Sequence, residues 1–248
     1  MTAKAFMLRD KVALIAGDSK LWAKPIAAAL AGAEADVAIA AKDTPRLAEA
    51  VETAQQTGRK AMAIPTDVTD ASQAQKAVDQ VIAEYGRIDI LVHAGDIHFF
   101  QPFLEIESNE WDQVMDYNFR SALNFSRAAG KHMLENKKGR IINVVSGLAE
   151  RGMANGSAYC VSMGGVLQLT KALALEWALE GVTVNAIGTG WFNEPGRPID
   201  EKLARYIPGK RYGEPDEIGS LVVYLASDVT EFTTGQLMFV DGGVMAHA

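Results

Sequence analysis

Two hydroxyls stand thirteen positions apart in residues 146–165, SGLAERGMANGSAYCVSMGG: Ser146 opens the stretch and Tyr159 follows. An alcohol and a phenol at this spacing form a pair suited to moving a proton to or from a carbonyl or alcohol oxygen. A free phenol has a pKa of about 10, and each unit of lowering takes about 1.4 kcal/mol of differential stabilisation, which a nearby ammonium can supply. One helical turn beyond Tyr159 stands Met163, a thioether without charge. Lys171 is three turns from Tyr159 and too far along the helix to substitute, while Lys20 or Lys24 would have to reach in from a remote loop.

The bulk properties narrow what surrounds this pair. A chain of 248 residues with 48% apolar residues suits one α/β domain with an ample core. Net charge −7, with no basic block, argues against a nucleic-acid partner. The first eleven residues alternate charged and apolar types, unlike a signal peptide, and no apolar run reaches the roughly 20 residues of a membrane span. The single Cys160 excludes an internal disulfide and fits a reducing cytoplasm. Four histidines and one cysteine give no metal cluster; His93 and His98 are five apart in a loop region.

Short apolar runs alternate with helical periodicity along the whole length. Strands are expected at 12–16, 36–41, 60–65, 89–93, 140–145, 182–187 and 236–240. Between them fall helices near 26–32, 46–56, 71–85, 108–135 (with Ser108 as cap), 157–180 and 216–226, and a long segment over 191–213. With short connections and no linker, residues 1–248 form a single α/β domain. It is Rossmann-like, a doubly wound parallel sheet of about seven strands with helices on both faces. Ligands of such sheets bind at the carboxyl ends of the strands, so the loops there carry the function.

Those loops resemble the short-chain dehydrogenase/reductase family over nearly the whole chain. The stretches that carry the resemblance are DILVHAGDI, NEWDQVMDYNF, GRIINVVS, SAYCVSMGGV, VNAIGTG, RYGEPDEIGSLVVYLASD and TGQLMFVDGG. The resemblance implies hydride transfer between NAD(P) and a carbonyl or alcohol, often by tetramers. It implies that Tyr159 moves the proton, Ser146 polarises the substrate oxygen and Asn118 anchors a water relay. The family's lysine, which lowers the tyrosine pKa and holds the nicotinamide ribose, is replaced by Met163. Thr189-Gly190 stands for the family's Pro-Gly turn beside the nicotinamide.

The cofactor loops depart from the family pattern. Of its glycine motif after the first strand only Gly17 remains; Leu21 and Ala23 stand at the second and third glycine positions, and Trp22 and Pro25 add bulk. The second strand ends in Ala40 and Ala41 where NAD-binding relatives carry an acid; Lys42 reads as a solvated charge. Asp67 is retained at the adenine-contact position, although a carboxylate opening a helix is also a common cap. Asp96 puts a negative charge where relatives have a glycine beside the pyrophosphate.

The expectation from these changes is a non-catalytic remnant set, Ser146, Tyr159 and Asn118, in a chain that binds no cofactor itself. It would join an active paralogue that carries NAD, as a heterotetramer oxidising a hydroxyacyl substrate, free or CoA-linked. Gly164 and Gly165, costly inside a helix, point to close helix approach at a subunit interface. The alternative is an active NAD(P)-dependent oxidoreductase using Ser146 and Tyr159 with an atypical cofactor site. A third reading, a cofactor-free enzyme, lacks the cation that such relatives carry at the place of Met163. Residues 191–211, with Arg197, Lys202, Arg205, Lys210 and Arg211, stand where relatives place a substrate lid and could meet an anionic substrate.

Overall fold

The computed structural model describes residues 3–17, 20–42 and 44–246. Seven strands form one parallel sheet in the order β3-β2-β1-β4-β5-β6-β7. They are β1 (Val12–Ala16), β2 (Asp36–Ala41), β3 (Ala61–Pro65), β4 (Ile90–His93), β5 (Gly139–Ser146), β6 (Val182–Thr189) and β7 (Leu237–Val240). The helices are α1 (Ala23–Gly32), α2 (Pro45–Gln55), α3 (Ala71–Tyr85), α4 (Ser108–Val114), α5 (Ser121–Glu135), α6 (Ser157–Trp177), α7 (Glu201–Tyr206) and α8 (Gly219–Ala226).

Strand β1 shows why the sequence folds this way. Its five residues are all apolar because both faces of the sheet are covered. Ala13 and Ile15 pack in one cluster with Ile26 and Leu30 of α1, Leu47 of α2 and Val222 of α8. Val12, Leu14 and Ala16 face the other cluster, with Val78 of α3, Phe125 of α5 and Ala174 of α6. The two-residue period of the strand thus sorts one apolar run into two cores.

Three departures from the sequence expectations matter. The helix expected over 108–135 is interrupted by a π-helical segment, Met115–Arg120, between α4 and α5. Its cap is Glu107 rather than Ser108: the Glu107 amide donates to the Glu110 carboxylate at 3.0 Å. Finally, α6 with its closing turn, Ser157–Glu180, is long and apolar enough in length and composition to cross a membrane. Its Tyr159, Ser162, Met163, Val166 and Leu167 are buried within the domain, so its apolarity is that of a core helix.

Candidate active site

The strand order reverses between β1 and β4, and there the two loops that follow these strands meet. Ala16 pairs with His93, and the Ala94 amide donates to the Ala16 carbonyl at 2.8 Å. Gly17 adopts φ +106°, and a Cβ added to it would lie 2.6 Å from the Gly95 nitrogen. The one glycine kept from the phosphate-binding motif is therefore required by the packing of the two loops, with or without a ligand.

Past Gly17, bulky side chains stand where the family's pattern has glycines. Asp18 and Ser19 of this loop lie outside the described residues. Trp22 is 2% exposed and packs edge-on against Phe192, ring centroids 4.9 Å apart. Leu21 is partly buried against the same core, and Ala23 begins α1 with no side-chain cap ahead of it. Pro25, in the first turn of α1, has no N–H to offer an anion. At the end of β2, Ala41 is buried and carries no group to hold a ribose, and Lys42 is exposed. Asp67 is engaged locally, accepting from the Thr69 amide at 3.0 Å and its hydroxyl at 2.7 Å. Among the described residues, Leu21, Trp22 and Pro25 thus put side chains where the family's pattern has a glycine-rich turn, and Trp22 is packed into the core.

Asp96 is the centre of the site, with its side chain only 8% exposed and turned inward. It accepts from the Tyr159 hydroxyl at 2.8 Å and from the Trp22 indole N–H at 3.4 Å, and it contacts His98 Nε2 at 3.2 Å. Burial works to raise the Asp96 pKa, but the hydrogen bond and charge of His98, with donation from Tyr159 and Trp22, hold it below the usual carboxylate value. His98 responds in the opposite sense. Burial lowers its pKa, yet the hydrogen bond and charge of Asp96, with Glu194 behind, raise it on balance against Arg197.

Tyr159 is driven well above the ordinary phenol pKa, first by burial and then by the charge of Asp96 and the hydrogen bond to it. Ser146, also in hydrogen-bonding relation to the phenol, opposes the rise. The Ser146 hydroxyl additionally accepts from the Leu148 amide at 3.2 Å, capping the turn that follows β5. Met163 is 1% exposed and packs with Tyr159, Ala122, Val145, Val166 and Leu167. Where the family places a cation, the chain has an apolar core position, and the charge nearest the phenol is negative. Neither remote lysine compensates, since Lys20 is near Glu194 and Lys24 pairs with Glu49.

Asn118 is brought to the same place by the π-helical segment. Its side-chain oxygen accepts from the Ile97 amide at 2.7 Å, and its nitrogen donates to the Ile97 carbonyl at 3.1 Å and to Ser162 Oγ at 3.0 Å. Every polar atom of this side chain is used within the chain. His93 is fully buried beside it in the fold, bonded through Nε2 to Ser121 Oγ at 2.7 Å, with Nδ1 unpartnered. Burial holds the His93 pKa down to about 4. His93 and His98 thus serve different partners, and no cluster of metal-ligating residues occurs among the described residues. Gly165 is tight against the ring of Phe119 in its own chain, where an added Cβ would lie 3.0 Å away, so close approach inside the domain already accounts for that glycine.

Ser146 and Tyr159 open onto a cavity of about 170 Å³ at the carboxyl edge of the sheet, with Trp22, Thr189 and Gly190 also at its wall. The segment 191–211 supplies Trp191, Phe192, Glu194, Arg197 and Leu203. Of its expected cations only Arg197 lines the cavity, and it pairs with Glu194 at 3.5 Å. Arg211 pairs with Glu217 at 2.6 Å, Arg205 lies near Glu201, and Lys210 donates to a backbone carbonyl. The sequence analysis weighed His98 only as a metal ligand and did not single out Arg151; both line the cavity. The Asp-x-His spacing at the end of the β4 loop was the available signal for His98; Arg151 had none.

A doubly wound parallel sheet with a hydroxyl pair at its carboxyl edge is the architecture of nucleotide-linked oxidoreductases. Residues 22–245 match the family model described as Enoyl-(Acyl carrier protein) reductase. The chain belongs to the short-chain dehydrogenase/reductase family. It is 35% identical to the 2-dehydro-3-deoxy-D-gluconate 5-dehydrogenase of Bacillus subtilis, over 98% of each chain. It is 36% identical to the (2S)-[(R)-hydroxy(phenyl)methyl]succinyl-CoA dehydrogenase subunit BbsC of Thauera aromatica, over 96% of this chain and 95% of that one. Among solved structures, a short-chain alcohol dehydrogenase from Sinorhizobium meliloti, so described provisionally, superposes with a TM-score of 0.92 at 32% identity, covering 98% and 99% of the two chains.

Proposed function

We propose that the protein works in the interconversion of an alcohol and its carbonyl compound, as a short-chain oxidoreductase with an atypical cofactor site. Family membership supports this, as do the dehydrogenase names of its relatives. The observation that carries it is the survival of Ser146 and Tyr159 at one cavity, with Asn118 bracing the loop beside them. On this reading Ser146 and Tyr159 meet the substrate oxygen, and Asp96 is the resting acceptor of the phenol proton. Dinucleotide entry, NAD or NADP, requires Leu21 and Trp22 to withdraw. The test is turnover of a panel of hydroxy acids and polyols by the isolated chain with NAD and NADP. Activity abolished by Tyr159→Phe establishes the reading; no turnover with either cofactor overturns it.

A specific observation favours a second reading, a non-catalytic subunit joined to an active paralogue that carries NAD. That observation is the burial of Trp22 together with Met163 in place of a cation. The relative named as a subunit of a CoA-linked dehydrogenase is in keeping with it. A hetero-oligomer, a hydroxyacyl substrate and a reducing cytoplasmic setting belong to this proposal. Affinity purification from the native cell, with mass spectrometry and an NAD titration of each chain recovered, separates the two readings. Recovery of the chain alone, binding NAD at micromolar concentration, rules the second one out.

A further inference from the structure

The cavity at Ser146 and Tyr159 is poorly made for a polyhydroxy acid. Its walls are largely aromatic or aliphatic, among them Phe100, Leu148, Met153, Trp191, Phe192 and Val244. A sugar acid buried there would leave several hydroxyls without partners, and each such loss costs more than an apolar body would. Most of the polar groups at the wall already have partners, as His98 has in Asp96 and Arg197 in Glu194. Thr189 Oγ1 donates to the Val145 carbonyl at 3.1 Å. Asp241 accepts from the Gly243 and Met245 amides at 2.8 and 2.6 Å, and Glu194 faces Arg197 and Lys20.

Arg151 is the exception. Its guanidinium donates only weakly and to neutral acceptors, the Val244 carbonyl at 3.4 Å and the Tyr206 hydroxyl at 3.3 Å. Among the described residues it forms no ion pair, although it lines a cavity whose two acids are already engaged. An arginine so placed keeps its fork of donors for a carboxylate, which it can bind through two parallel bonds. A cavity of about 170 Å³ is close to the size that accepts a benzene-sized guest.

We propose that this cavity takes an organic carboxylate with a compact apolar body of aryl size, its carboxylate on Arg151 and its hydroxyl or carbonyl oxygen toward Ser146 and Tyr159. The placement of the oxygen rests on the oxidoreductase reading; the carboxylate and the apolar body do not, because they require binding and not turnover.

The experiment is therefore a binding measurement without cofactor. Mandelate, its neutral counterpart mandelamide and D-gluconate are titrated against the full chain by isothermal calorimetry and ligand-observed NMR. The expected result is mandelate binding at least about tenfold tighter than gluconate. Arg151→Met should weaken mandelate about tenfold and leave mandelamide unchanged, while Arg151→Lys recovers part of the loss. Thermal unfolding of both variants checks that they fold. Gluconate bound as tightly as mandelate, mandelate indifferent to Arg151→Met, or no binding of mandelate at all overturns the proposal. Mandelate binding with no turnover under any cofactor leaves the ligand class standing and removes the oxidoreductase reading alone.

Discussion

The Tyr159 hydroxyl donates to the Asp96 carboxylate at 2.8 Å, so the phenol proton is held by an anion where the family holds it near a cation. The electrostatic sense of the site is thereby inverted. A neighbouring positive charge favours the phenolate; a neighbouring negative charge that accepts the hydrogen bond favours the phenol.

Removing that anion should release the phenol. In Asp96→Asn the charge and the charged acceptor that raise the Tyr159 pKa both disappear, leaving burial as the main cause. The titration midpoint of Tyr159 is expected to fall, read as near-ultraviolet tyrosinate absorbance against Tyr159→Phe as blank. His98 loses its partner in the same variant, so its midpoint should fall as well, followed by proton NMR. An unchanged tyrosinate midpoint contradicts the account of Asp96.

Trp22→Ala tests whether the indole is what closes the dinucleotide surface. Deleting a buried tryptophan side chain costs on the order of 3–5 kcal/mol in a core, and denaturant unfolding should show a loss of that size. If the indole is the obstruction, NAD binding by calorimetry should strengthen in the same variant despite the lost stability. Weaker folding without any gain in NAD binding would place the obstruction elsewhere.

Gly17→Ala should destabilise the chain with no cofactor present. The position needs a positive φ, and the new Cβ would lie 2.6 Å from the Gly95 nitrogen. Strain of this kind costs roughly 1–3 kcal/mol. Thermal unfolding of the apo chain is the measurement, and a neutral result would return Gly17 to the class of residues kept for a ligand.

His93 gives stability an acid limit. Its folded pKa is about 4 against 6.5 in the reference state, so the unfolded chain takes up a proton that the folded chain refuses. Stability is then full above pH 6.5 and falls as the pH drops toward 4, by up to about 3 kcal/mol. The nearby charge that opposes this is Asp96, and the direct partner, Ser121 Oγ, is neutral. Urea unfolding at a series of pH values checks the slope, which should be smaller in a folded His93→Asn.

The fold was legible because a strand covered on both faces tends to be apolar throughout, as β1 is, and because such short apolar runs alternate with helical periodicity along the chain. Ser146 and Tyr159 line one cavity, and Asn118 bonds to Ile97 and Ser162. Directions were not legible. Asp96 could be recognised as a charge near a ligand surface, but that its side chain turns inward depends on His98 two residues on and on Trp22 and Tyr159 from two distant places in the chain. The π-helical segment at Asn118 was not legible, since 108–135 reads as one continuous helix. Arg151 escaped notice because a loop residue's neighbours are set by tertiary packing with Val244 and Tyr206, far along the chain.

Asn118 fastens the loop after β4 by the backbone of Ile97, taking its amide and giving to its carbonyl. Because both bonds go to backbone atoms, they hold whichever side chain stands at position 97. The clamp reads the path of the loop and not the identity of that residue, while His98 and Phe100 beyond it are set by their packing on Tyr159.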